Sequence, residues 1–127
     1  MRTTVVPPLM LVAGLTLLVA SAIHFGLPIP LGLILLHDPF AGAAIPELVL
    51  GIVMAVGGLL AMSRPRTAWL MAVLCTSCTA LLTLFGASIT VRAADWGDVV
   101  YHAALLALLG AILVLTLRVH APRSAWH

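Results

Sequence analysis

Charge is what this sequence has least of. Only 8% of its 127 residues are charged, where a soluble domain carries about 25%. Lysine is absent, and six arginines supply every fixed positive charge. Such a chain has too little polar surface to face water on all sides, which excludes an ordinary globular domain. The net charge of +2 is small and scattered, and leaves no electrostatic footprint for nucleic acid. Cysteine is scarce too: Cys75 and Cys78 lie within one apolar segment, which excludes a secreted disulfide framework. No internal repeat and no low-complexity tract is present.

What is abundant is apolar sequence, 63% of the chain, with a mean hydropathy of +1.23. A spanning helix needs about 20 apolar residues. Four segments qualify, over about 5–25, 45–62, 67–91 and 98–117. The expected fold class is therefore all-α, a four-transmembrane-helix bundle forming a single integral membrane domain over residues 1–127. The first run follows Arg2 and has small residues near its end, as a signal peptide does. Three further spans follow it, so it is read as a retained helix.

Arginine placement sets the expected orientation. Arg2, Arg64, Arg66, Arg118 and Arg123 fall at the amino terminus, the second connection and the carboxy tail. Arg92 alone lies on the other side, beside Asp95 and Asp98. Both termini are then cytoplasmic, in the inner membrane of a bacterium. Trp69 and Trp96 fall at opposite interfaces. The short basic tail, with His120 and His127 solvated, meets anionic headgroups or a partner subunit. Between the first two spans, residues 27–36 form an apolar stretch too short to cross. It suits an interfacial or re-entrant segment, and His37, Asp38, Pro39 and Phe40 follow it.

Two constellations carry chemistry. The first is polar and shares one membrane depth: His24 ends helix one, Glu47 opens helix two, and Tyr101 and His102 lie near the start of helix four. An ionisable residue inside a membrane segment is a functional candidate. Four-helix bundles build sites from side chains on facing helices. His24, Glu47, Tyr101 and His102 are thus candidates for ligand binding or proton relay. His24, Glu47 and His102 also form a donor set that zinc or iron accepts, and His24 with His102 could ligate a haem. The alternative is that these groups hydrogen-bond one another and pin helix ends.

The second constellation is Cys75-Thr-Ser-Cys78. Cys-x-x-Cys often reads as a redox pair. At 1.5 Å per residue, however, Cys75 lies about 12 Å and Cys78 about 16 Å into the third span, where thiolates are costly. The favoured reading makes them small packing residues beside Thr76, Ser77, Thr79 and Thr83, on a helix that approaches its neighbours closely. Gly51, Gly57, Gly58 and Gly86 are read the same way.

The stretch from Ile45 to Trp69, with Glu47 opening the helix, Gly51, Gly57 and Gly58 along it, and Arg64 and Arg66 in the turn after it, resembles the DoxX-like family of small four-helix membrane proteins. The exit His24-Phe25-Gly26 is similar to that family's polar-glycine exit from helix one. The lysine often found after that helix is absent. The resemblance implies the four-helix fold and association with membrane redox complexes, among them a thiosulfate–quinone oxidoreductase and thiol-stress complexes. Other members act as assembly factors. The expected function is a small subunit of a quinone-linked complex with a polar pocket at the outer face. The alternatives are a structural or assembly subunit of a larger membrane complex, and a stand-alone enzyme on a lipophilic substrate using a His/Glu acid–base pair.

Overall fold

The computed structural model describes residues 5–64 and 66–120. Arg2, Arg123 and His127, on which part of the orientation and tail readings rest, lie outside them. Four helices dominate: α1 (Val6–His24), α2 (Ala41–Ser63), α3 (Ala68–Ala93) and α4 (Trp96–His120). Each is long and apolar enough to cross a membrane. In lipid every backbone polar group needs a partner within its own segment, and a helix provides one.

Each helix turns a narrow stripe inward at three- and four-residue spacing. On α1 the stripe is Met10, Ala13, Leu17, Ser21 and His24; on α2 it is Glu47, Leu50, Met54 and Ala61. On α3 it is Ala72, Thr76, Thr79 and Thr83, and on α4 it is His102, Leu105, Leu109, Ile112 and Thr116. The remaining faces expose leucine, valine and isoleucine, as surfaces solvated by lipid do. The closest pairs are α1 with α2 and α3 with α4, while α2 and α3 meet less extensively. The bundle is thus two helical hairpins laid together.

The first hairpin owes its closeness to glycine. A Cβ placed on Gly14 would lie 2.8 Å from the Ala55 backbone nitrogen and 2.9 Å from the Gly51 carbonyl oxygen. Backbones approach this closely in membranes only across small residues. The second hairpin turns at Ala94, whose left-handed backbone (φ 56°) ends α3. Asp95 then starts α4: its Oδ1 accepts a hydrogen bond from the Asp98 amide at 3.2 Å, an N-cap interaction.

Two boundaries differ from the sequence reading. Helix α2 begins at Ala41, four residues before Ile45, and carries Pro46 within it. Helix α4 begins at Trp96 because Asp95, read as a loop acid, caps it. The apolar stretch between α1 and α2 pairs with itself: β1 (Ile29–Leu31) and β2 (Ile34–Leu36) form an antiparallel hairpin about Gly32 and Leu33. Leu33 at its tip is wholly exposed. Leu33→Ser is accordingly expected to change the melting temperature in detergent by less than about 0.5 kcal/mol equivalent. A large loss would show that the tip packs on the bundle.

Candidate functional site

The site begins where α1 ends. Gly26 takes φ +92°, a conformation glycine adopts without strain. Its amide donates to Ile23 O at 2.9 Å, and the Leu27 amide donates to Ala22 O at 2.9 Å. This paired closure is a Schellman motif, with glycine in its left-handed position. It fixes the last turn of α1, and with it His24. The Phe40 amide donates to the His24 carbonyl at 2.9 Å, tying the start of α2 to the end of α1. The Phe40 ring meets the His24 imidazole edge-on at 6.5 Å. Nearby, the Ser21 hydroxyl donates to the Ala44 carbonyl at 2.7 Å.

These contacts bring His24 to Glu47. His24 Nδ1 lies 2.6 Å from Glu47 Oε2, with His24 5% and Glu47 6% exposed. A charged group in hydrocarbon is costly unless partnered, and this contact is the partner. On the opposite edge of the ring, His24 Nε2 lies 3.7 Å from Asp38 Oδ2. Asp38, in the connection between β2 and α2, is 60% exposed. The imidazole therefore sits between a buried carboxylate and an exposed one.

The other half of the site comes from α4. His102 Nδ1 lies 2.8 Å from the Asp98 backbone carbonyl. A carbonyl only accepts, so Nδ1 carries the hydrogen, and Nε2 of the neutral ring is left as an acceptor. That Nε2 faces Gly86 of α3, where an added Cβ would approach it to 2.8 Å. Tyr101 packs edge-on against His102 at 5.0 Å, and its hydroxyl is turned toward the Glu47 carboxylate. The two do not close a well-formed hydrogen bond: Glu47 Oε1 and Tyr101 Oη are both buried without a partner. Buried polar atoms are seldom left so.

A cavity of about 260 Å³ lies between them. Glu47, Thr83, Gly86, Asp98, Tyr101 and His102 are its polar and backbone-lined parts, while Leu17, Leu50 and Leu105 form apolar wall. Thr83 is buried with its hydroxyl unpartnered, as are Thr76 and Thr79 further along α3. Pro46 on α2 and Leu82, Phe85 and Ile89 on α3 also line the cavity and are themselves exposed. Phe40 and Gly42, at the start of α2, line it too and are likewise exposed, so the opening runs between α2 and α3 from the loop end inward.

Of the four residues expected at one depth, His24 and Glu47 touch, and Glu47, Tyr101 and His102 line one cavity. His24 reaches that cavity only through Glu47. No group of three or more His, Cys, Asp or Glu side chains is arranged to hold a metal ion among the described residues, so the metal reading of His24, Glu47 and His102 draws no support from the arrangement. Cys75 and Cys78 are free thiols. Cys75 packs against Gly57 of α2, where a Cβ would lie 2.7 Å from its Sγ, and Cys78 is exposed on the helix surface. The sequence reading set Asp38 and Asp98 in the loops at the depth of the site without giving them a role in it, and read Thr83 as a packing residue. Asp98 was legible in Asp95-Trp-Gly-Asp98, a cap followed by an acid three residues on.

No protein-family model matches this chain, and comparisons with curated proteins and with solved structures find no match either.

Proposed function

We propose that the chain is a small multi-pass subunit of a membrane redox complex, in the inner membrane of a bacterium, and that its loop-end cavity holds the ring of a quinone or a similar lipid-borne ligand. One observation carries this reading. Two buried oxygens without partners, Glu47 Oε1 and Tyr101 Oη, line one cavity with His102, whose Nε2 is an acceptor. Unsatisfied donors and acceptors around an apolar cavity are what a carbonyl- or hydroxyl-bearing ring requires. At about 260 Å³ the cavity is slightly smaller than the ~300 Å³ at which drug-sized ligand sites begin. It suits one ring, with an apolar tail leaving between α2 and α3 into lipid. The resemblance of the second helix to the DoxX-like family agrees with this assignment.

In this role Tyr101 donates to a ring oxygen, Glu47 exchanges a proton with it, and His102 accepts from a ring hydroxyl. Gly86 keeps His102 Nε2 accessible. The test is binding of a short-tailed benzoquinone and its hydroquinone to the purified protein in mild detergent, followed by calorimetry. Glu47→Gln, His102→Ala and Gly86→Ala are each expected to weaken binding of at least one of the two about tenfold or more, from the loss of ~1.5–3 kcal/mol per hydrogen bond to a charged group or less for a neutral one. Unchanged affinity for both forms in all three variants sinks the reading.

A second reading has its own support. The hairpin β1–β2 presents Leu31, Leu33, Ile34 and Leu35 exposed at the end of the bundle, a surface suited to a partner in a larger complex, and one that an assembly subunit without chemistry would use. Purification in mild detergent distinguishes the two: a stoichiometric partner without any quinone affinity favours the assembly role.

A further inference from the structure

We propose that Asp38, His24 and Glu47 form a proton relay between water at the loop end of the bundle and the interior cavity, with Asp38 as its water-side entry. The proposal deepens the reading of that cavity as a proton-exchanging ligand site, and it rests on a continuous sequence of contacts. Asp38 is 60% exposed and places Oδ2 3.7 Å from His24 Nε2. Across the buried ring, Nδ1 lies 2.6 Å from Glu47 Oε2. Glu47 Oε1 is buried, has no hydrogen-bond partner, and belongs to a residue lining the cavity. Each buried member has two distinct atoms, one facing each way.

That two-sidedness is what a relay needs. An imidazole can take a proton at one nitrogen and release one from the other, and a carboxyl group can do the same through its two oxygens. The starting state has the hydrogens on Glu47 Oε2 and His24 Nε2. The Glu47 Oε2–H bond breaks as a His24 Nδ1–H bond forms, which leaves a carboxylate and an imidazolium. The His24 Nε2–H bond then breaks and its proton passes to Asp38 Oδ2, directly or through one water, which returns the ring to neutral. The O–H bond of a hydroxyl in the cavity breaks, leaving its oxygen anionic, as its proton forms a bond to Glu47 Oε1. One proton has left the cavity side and one has reached Asp38, which releases it to water. Rotation of the imidazole and of the carboxyl group restores the starting state, and the reverse sequence carries a proton inward. No change of oxidation state occurs at any of the three residues.

Asp98 is the other acid nearby: it lines the cavity and lies within electrostatic reach of His24, Asp38 and Glu47, while its ion-pair contact is with His102 on its own helix, at 3.9 Å to Nδ1. Tyr101 faces Glu47 with its hydroxyl buried. The Asp38 route is the one that ends in an exposed carboxylate.

Infrared spectroscopy of the purified, lipid-reconstituted full chain tests this without any ligand, so the relay can fail while quinone binding holds, and the reverse. The protonated carboxyl band of Glu47 is assigned by its loss in Glu47→Gln. Its rate of deuterium exchange is then followed after transfer to heavy water. Asp38→Asn is expected to slow that exchange about tenfold or more, with helical content and melting temperature unchanged, and Asp38→Glu to restore it. Because Asp38 is a surface residue, a folding defect is not expected, and circular dichroism of each variant verifies that. Exchange in Asp38→Asn within twofold of the native rate overturns the relay. So does a Glu47 that shows no protonated band at any pH where the protein stays folded.

Discussion

Gly14→Val is expected to unfold the bundle or lower its stability by about 3 kcal/mol or more, at or beyond the top of the ~1–3 kcal/mol typical of overpacking. The reason is the identity of the atoms in the way. A Cβ at Gly14 meets the Ala55 backbone nitrogen at 2.8 Å and the Gly51 carbonyl at 2.9 Å. Side chains can rotate aside, but a helical backbone moves only as a whole. The effect is read from thermal melting in mild detergent. Gly110→Ala is the control, because nothing lies within 4 Å of a Cβ built there. It should match or slightly exceed the native melting temperature, since alanine is the better helix former. If Gly14→Val melts with Gly110→Ala, the two helices do not cross this closely.

The second large effect belongs to the buried pair. His24→Leu is expected to cost about 1–3 kcal/mol, the penalty for leaving a buried hydrogen-bonding group without its partner. Glu47 would then keep its buried position, 6% exposed, with neither oxygen partnered inside the protein. His24→Leu combined with Glu47→Leu should recover most of that loss, because an apolar pair of similar volume carries no desolvation penalty. Reversible unfolding of the two single variants and the double variant gives the coupling directly. Additive losses would mean that the 2.6 Å contact contributes nothing.

The four spans were legible because lipid imposes a simple rule: about 20 apolar residues in a helix satisfy both the backbone and the solvent. Depth was legible for the same reason, since counting along a helix gives height in the membrane, and so Glu47, Tyr101 and His102 share one cavity. Rotation about the helix axis was harder to read. In a soluble helix the polar face marks the outside, but here lipid-facing Leu81 and core-facing Leu105 are equally apolar. Only the polar residues betray the inward side. Thr76, Thr79 and Thr83 do so on α3, where all three are buried.

Interactions with the backbone were the least legible. His102 was expected to look toward Glu47, and its Nδ1 instead donates to the Asp98 carbonyl on the same helix. The second span was read as starting near Ile45, where the continuous apolar run begins. The helix begins four residues earlier, with Phe40 accepting from the Ala43 and Ala44 amides. Asp38 lay in a loop whose course no periodicity describes, and only the fold brings it to the far edge of the His24 ring.

The pairing of helices into two hairpins bears on how the chain enters the membrane. Glu47 and its partner His24 both belong to the first hairpin, as does the Gly14–Gly51 crossing that holds its helices together. As synthesis proceeds, α1 and α2 can therefore leave the insertion machinery as a finished unit with the carboxylate already neutralised or paired. Its hydrogen-bond partner is in place before α3 and α4 arrive to enclose its other face. The later hairpin arrives to complete a cavity whose most demanding residue has been made safe in advance.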